Sequence, residues 1–398
     1  MLEKSPFFAR TKELCSSLQW KEWAGYAAAG RYGSCHESEY YALRQACGLI
    51  DVSPLYKYEV SGPDAAAFLS WIMTRNINRL ALGQVTYSCW CDEHGKIVDD
   101  GTVTRLSEED YRVTSADPSF VWLEQLSAGF DVQLRESTRE LGALSLQGPT
   151  SRGLLQAVTA DDISELGFFK HCKTSIGGAT VDITRTGYTG DLGYEIWVPS
   201  AQCLQVWDAL MAAGTGYGLL PVGLDAMDMT RVEAGFVLNG VDYFSARHCI
   251  IESRKCTPYE LGLGWTVSFK NHEHFMGRKA LLAEKTNGPE LSFVGLEASW
   301  EELEALYDAH KLPPSLPAAA WRSPVPIYLD DGRTQVGYAT SGAWSPILKK
   351  NLAMGFVESK YADEGTILQL EVTVEFERKS VSAQVVKRPF FDPDRKKS

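Results

Sequence analysis

A strand, a Gly-Pro turn and a helix follow one another twice in this chain, and no other feature narrows its possible folds as much. The first copy, YEVSGPDAAAFL, begins at Tyr58, and the second, LGALSLQGPTSRGLLQAV, begins at Leu141. In each, a run with strand chemistry meets a turn and then apolar residues at helical spacing, with Asp64 placed to start the first helix and the second beginning near Ser151. Two halves of like order predict two related α+β lobes.

At 398 residues the chain exceeds one ordinary core. Its last part, VPIYLDDGRTQVGYATSG, NLAMGFVES, TILQLEVTVEFE and SVSAQVVKRPF, is a series of short strands with glycine turns, the pattern of a small β-barrel or sandwich. An acidic, proline-rich stretch from Ser299 to Ser323 stands before it. The expected division is an N-terminal α+β domain over 1–139, a second α+β domain over 140–290 and a C-terminal barrel over 291–398, with the first domain able to share structure with the second. Further expected elements are a helix from Ser38 to Ala46 and strand-like sequence from Leu49 to Val60 with Pro54 as an edge or bulge. A polar loop is expected from Asn239 to Thr257, then a strand carrying Trp265 in ELGLGWTVSF.

Composition excludes several partners. A formal net charge of −12, with no long basic stripe, argues against nucleic acid bound through phosphates. No run of about twenty apolar residues is present, so no membrane partner is expected. Nine scattered cysteines without a secretory leader suit a reducing compartment, and a cytoplasmic location is expected. Cys89 and Cys91 share one face of a strand and His94 is near, but zinc spacing is absent, so two packed thiols are the better reading and no metal is expected.

Three stretches concentrate polar chemistry. In GKIVDDGTV, from Gly95, adjacent Asp99 and Asp100 interrupt a hairpin whose outgoing strand is Val85 to Cys91. Successive strand residues face opposite ways, so one of the two acids should point inward, unless both belong to a solvated edge. GYTGDLGYE, from Gly187, lacks a phosphate-loop ending; its glycines mark sharp turns or close approaches, and Tyr188 with Glu195 would suit a flat heterocycle bearing N–H donors. In the acidic helix GLDAMDMTRVEAG, Asp228 and Arg231 are three apart and can pair on the helix surface.

These motifs, together with GLIDVS, TPYELGLGW, F-x-GRKAL and TSGAWSPILKKNLAMGFV, resemble in kind and order the folate-binding aminomethyltransferase family, typified by the T-protein of the glycine cleavage system. The resemblance implies a three-lobed ring with tetrahydrofolate in a central channel. By motif position it implies Asp100 as the catalytic acid, Glu195 as the pterin ligand, Arg231 as a folate-side fork, and Tyr87, Tyr188 and Trp265 as the folate-lining aromatics.

The chain departs from the T-protein pattern at Asp51 to Leu55, in the long segment Tyr243 to Cys256, and at Ala24 to Gly33. All three lie, by that resemblance, on the side of the one-carbon donor. The expected reaction is methyl transfer from a small O-, S- or N-methylated substrate to N5 of tetrahydrofolate, with Tyr26, Tyr32, Tyr56, His36 and His248 as candidates to assist the leaving group. The alternatives are a T-protein working with a lipoylated carrier protein, and a folate-binding regulatory protein without transfer chemistry.

Overall fold

In the computed structural model, which describes residues 2–398, two sheets of similar order and one closed barrel hold all the strands but the hairpin Gln19–Trp23 and Tyr26–Arg31. The first sheet runs Val85–Cys91, Ile97–Arg105, Asp110–Ser115, Tyr56–Ser61, Gln133–Glu136, antiparallel throughout. The second runs His171–Ile176, Ala179–Thr184, Gly193–Pro199, Leu141–Gln147, Cys47–Asp51, Leu219–Pro221, with only its last pair parallel. Each is a hairpin, a third strand, the strand of the repeated unit and that strand's outer neighbour, to which the second sheet adds Leu219–Pro221 at its edge. Helices Ala65–Ile72 and Phe120–Leu126 bury apolar side chains on the first sheet, Ser151–Val158 and Cys203–Gly214 on the second.

The two Gly-Pro turns are the same turn built twice. Gly62 has φ +120° and Gly148 φ +122°, a backbone region that L side chains avoid. A Cβ on Gly62 would stand 2.6 Å from the carbonyl oxygen of Asp131, and one on Gly148 2.5 Å from that of Ala46. In both, the residue three places on (Ala65, Ser151) donates its N–H to the glycine carbonyl at 3.0 Å and opens the helix. Asp64 starts its helix as expected, its carbonyl accepting from Phe68 N–H at 2.8 Å, but its side chain makes no cap; the carboxylate accepts instead from the Asp131 N–H at 2.9 Å, tying the turn to the segment that leads into the outer strand.

Two sequence expectations are corrected. The strand-like run Leu49 to Val60 is two strands in different sheets, because Leu55 N–H closes a turn onto Val52 and Pro54 cannot donate to a ladder. ELGLGWTVSF forms no strand: Gly262 takes φ +76°, Gly264–Thr266 is a short 3-10 turn, and Leu261 and Leu263 fill the core between lobes.

The barrel closes because Leu291–Ala298 pairs with both Lys350–Glu358 and Glu377–Val386, the remaining strands being Gln335–Ser345, Val325–Tyr328 and Ile367–Val374. The acidic stretch that follows Ala298 is not simply a spacer. It holds the helix Trp300–Asp308, which buries Leu303 and Tyr307 and is capped by Ser299 accepting from Glu302 N–H.

The helix Leu224–Glu233 ties the barrel to the rest of the molecule, packing on the helix Glu37–Gln45, the strand Tyr26–Arg31 and the two barrel strands Gln335–Ser345 and Lys350–Glu358. All ten of its residues are buried, so the expected surface pair of Asp228 and Arg231 forms, at 2.7 Å, in the interior. Among the described residues no helix is long and apolar enough to cross a membrane.

Candidate active site

Register fixes what the two acids do. Trp90 lies opposite Asp99 and Cys89 opposite Asp100, so alternation sends Asp99 to the face that holds Trp90 in the first lobe's core and Asp100 to the other. Asp99, fully buried, is a clamp. Its Oδ1 accepts from Asp100 N–H at 2.9 Å, Asn239 Nδ2 at 2.9 Å and Tyr243 OH at 3.1 Å, and its Oδ2 from the N–H groups of Ala116 (3.1 Å) and Asp117 (2.9 Å).

Asp100 is the acid that remains open. Tyr87 OH donates to its Oδ2 at 2.6 Å, and the Tyr243 hydroxyl also reaches its Oδ1. Burial pushes both carboxyls up from the usual carboxylate range, and the Asp100 charge adds to the effect on Asp99. The hydrogen bonds from Tyr243 and Tyr87 oppose the rise at Asp100, while N–H donors oppose it at Asp99. Burial and the neighbouring Asp100 charge raise the phenols of Tyr87 and Tyr243 well above their ordinary value, so both hold their protons at neutral pH.

Across the gap, the second lobe supplies Tyr188 and Glu195. Like Tyr87 and Asp100, both sit deep in the protein yet keep some accessible surface, which is what side chains lining an internal recess do. Burial dominates the rise of the Tyr188 phenol, to which the Asp100 charge also contributes. Tyr188 stacks on Phe236 at 5.6 Å and its hydroxyl donates to the Val237 carbonyl. Burial likewise raises Glu195, against a hydrogen bond from Thr186 to its Oε2; the other oxygen takes no donor among the described residues. Trp265 stacks on Tyr87 at 5.8 Å and 22° and carries the lining outward to solvent.

The glycines of GYTGDLGYE admit protein atoms, not a ligand. A Cβ at Gly187 or Gly193 would fall 2.0 or 2.1 Å from Oε1 of buried Gln147. Gln147 holds the loop from within by donating to Thr186 O at 3.2 Å and accepting from Thr189 Oγ1 at 3.0 Å.

Arg231 does not line the recess. It is fully buried, its guanidinium shared among Asp228, Asp242, Ser341 Oγ at 3.0 Å and Phe236 O at 3.3 Å. Asp242 in turn accepts from Leu238 N–H at 2.9 Å and from the hydroxyls of Thr340 and Ser341. The arginine therefore fixes, from behind, the turn that carries Asn239 and Tyr243 to the two acids.

Tyr243 itself was missed in the sequence. The available signal was its place immediately after Asp242, where the segment unlike a T-protein begins. The five leaving-group candidates are dispersed: Tyr32 belongs to a small buried cluster with Cys15 and Ala29, and Tyr26 is buried on its own hairpin. Tyr56 stacks on Tyr58, His36 is buried where the helix Glu37–Gln45 starts, and His248 lies exposed on the long loop. Cys89 and Cys91 are packed in the core, and among the described residues no group of three His, Cys, Asp or Glu side chains is placed to hold a metal ion.

Comparison with known proteins agrees with this architecture. Residues 13–271 match the GCVT N-terminal domain and residues 314–392 the glycine cleavage T-protein C-terminal barrel domain. An aminomethyltransferase of Halothermothrix orenii is 34% identical over 393 residues, covering 98% of this chain and 100% of that protein, and one of Bacillus subtilis is 32% identical over 396 residues, 98% and 99%. A trimethylamine-oxide aldolase of Ruegeria pomeroyi is 35% identical over 369 residues, 90% of this chain but 43% of that protein. Among solved structures, the glycine cleavage system aminomethyltransferase T from Bartonella henselae superposes with a TM-score of 0.83 at 26% identity, over 98% of this chain and 99% of that one. With both domains matched in order and the fold reproduced over nearly its full length, the chain belongs to the glycine cleavage T-protein family, a family of transferase enzymes.

Proposed function

We propose that the protein moves a methyl group from a small O-, S- or N-methylated donor to N5 of tetrahydrofolate. The observation that carries this reading is Asp100, a carboxylate held by two tyrosine hydroxyls in a recess lined by aromatic rings. The recess residues fit a reduced pterin: the free oxygen of Glu195 can accept from its amino group or ring N–H, and Tyr87, Tyr188 and Trp265 offer faces for stacking. In the reaction a bond forms between N5 and the methyl carbon while the bond from that carbon to the donor heteroatom breaks, its electron pair leaving with the heteroatom. Asp100 accepts the proton that N5 gives up. A sulfonium or quaternary ammonium donor departs neutral and needs no acid, whereas an uncharged donor departs as an anion that takes up a proton from water or from the carboxylic acid formed at Asp100. Positioning alone lowers such a barrier by up to roughly 7–11 kcal/mol in ideal cases.

Support for a methyl donor comes from Tyr243, which belongs to the segment that departs from the T-protein pattern and binds Asp100 directly. A second reading, aminomethyl transfer from a lipoylated carrier protein, is favoured by the relatives named aminomethyltransferase.

One assay separates them. The protein is incubated with tetrahydrofolate and a panel of methylated donors, and separately with an aminomethyl-lipoyl carrier protein. 5-Methyltetrahydrofolate is expected from the first, whereas methylenetetrahydrofolate with ammonia from the second would establish the other reading. Asp100→Asn should abolish product and leave folate affinity within about tenfold, that is about 1.4 kcal/mol. Turnover by that variant at the wild-type rate would remove Asp100 from the chemistry.

A further inference from the structure

A cleft of about 610 Å³ separates the long loop, Tyr243 to Cys256, from the barrel. The returning arm of the loop, from Glu252, forms one wall, and on the other Leu291, Tyr338 and Phe356 make an apolar patch. The charged side chains on these walls are paired, with two exceptions. Lys96 pairs with Glu260 at 3.1 Å, Lys360 with Glu358 at 2.7 Å, and Lys255 with Glu252. One cation is left, Arg254 on the loop, and one anion, Glu290 just before the first barrel strand; neither side chain has an ion pair or hydrogen bond among the described residues.

The loop is pinned at its root. Ala246 N–H donates to Ile97 O at 2.8 Å and Ile97 N–H to Cys256 O at 2.9 Å, so both arms hold the strand that carries Asp99 two residues later. Between those pins, among the described residues, 247–255 hydrogen-bond only within the loop, as from Cys249 N–H to Ser245 O at 2.9 Å and from Arg254 N–H to Ile251 O at 3.0 Å. Nothing of that kind ties them to the barrel across the cleft.

We propose that this cleft is a second ligand site, taking a small zwitterion with an apolar body: its carboxylate on Arg254, its ammonium on Glu290, and its body against Leu291, Tyr338 and Phe356. The assignment goes beyond the one-carbon reading, which places neither folate nor methyl donor here. A guanidinium meets a carboxylate through paired N–H groups, and an ammonium brings three donors to a carboxylate. The volume is that of an ordinary small-molecule site. A ligand held between Arg254 and Glu290 supplies the link to the barrel that the loop lacks, and it steadies the loop whose first residue, Tyr243, holds Asp100.

The test is titration calorimetry on the full chain with three probes of one shape: L-leucine, 4-methylpentanoate, which lacks the ammonium, and 3-methylbutylamine, which lacks the carboxylate. Leucine should bind with a Kd below about 1 mM, and each analogue about tenfold or more weaker for the loss of one charge-assisted contact. Arg254→Gln and Glu290→Gln, both at exposed positions, should each weaken leucine about tenfold and leave urea unfolding unchanged. Hydrogen exchange locates the site: bound leucine should slow the amides of Cys249, Arg254 and Lys255, which open with the loop. No heat of binding up to about 10 mM leucine, equal affinity for the three probes, binding untouched by both substitutions, or exchange unchanged at those amides each overturns the proposal. None of these outcomes bears on the transfer reaction, which the folate assay tests by itself.

Discussion

A hydroxyl has one proton to give, and Tyr243 stands between two carboxylates that would each accept it. Asp100 serves as a proton acceptor only when ionised, and burial raises its pKa while Tyr243 and Tyr87 oppose the rise. Removing either donor removes support for the ionised form, so Tyr243→Phe and Tyr87→Phe should move the acid limb of the kcat/KM profile to higher pH. For a hydrogen bond to charge of about 1.5 kcal/mol the displacement is about one pH unit. If neither variant moves the limb, Asp100 is not the group that titrates. Strand alternation showed in the sequence that one of two adjacent acids must face inward, and only the motif resemblance singled out Asp100. Tyr243 was not legible, since its partner lies 143 residues away and its place at the start of the divergent segment does not say which way its ring points.

The repeated unit offers the test at the scale of elements. Gly62 and Gly148 share a backbone conformation and meet a carbonyl oxygen at nearly the same separation, so Ala at either should destabilise similarly, by at least about 1–3 kcal/mol from backbone strain and more from the clash. Gly129, at φ +94° and with nothing within 4 Å of where a Cβ would stand, provides the strain-only comparison and should lose less. Urea unfolding of the three variants measures this, and unequal losses at Gly62 and Gly148 would deny their equivalence. Elements with strong local pattern were legible: Val85–Cys91 is the expected strand, and the expected helix Ser38 to Ala46 is Glu37–Gln45. Local pattern failed where an apolar alternation has no ladder to join, as around Leu261 and Leu263, and where one run supplies strands to two sheets, as on either side of Pro54.

For the molecule as a whole, the helix Leu224–Glu233 is where stability and site meet. Arg231→Met would leave Asp242 as a buried charge without its ion-pair partner and Asp228 with Arg322 alone, at a cost of about 3–5 kcal/mol. It should also loosen the turn bearing Asn239 and Tyr243, so transfer activity should fall at temperatures where the variant is still folded. A variant of unchanged stability would place the arginine elsewhere than in this network. Residue type and spacing showed the pair in the sequence; its depth depends on partners such as Ser341, 110 positions away. The same helix receives Arg44 from 189 positions upstream, on Glu233, which the Ser345 hydroxyl also reaches. A ribosome releases those groups in order, so Arg44 and Asp242 are present early, but the Ser341 and Ser345 hydroxyls and the strands that carry them come last, and the helix completes its contacts only after the barrel has emerged. Assembly of this protein is therefore a late, long-range event, and a nascent chain stalled before Ser341 would leave this helix without the barrel strands that cover it.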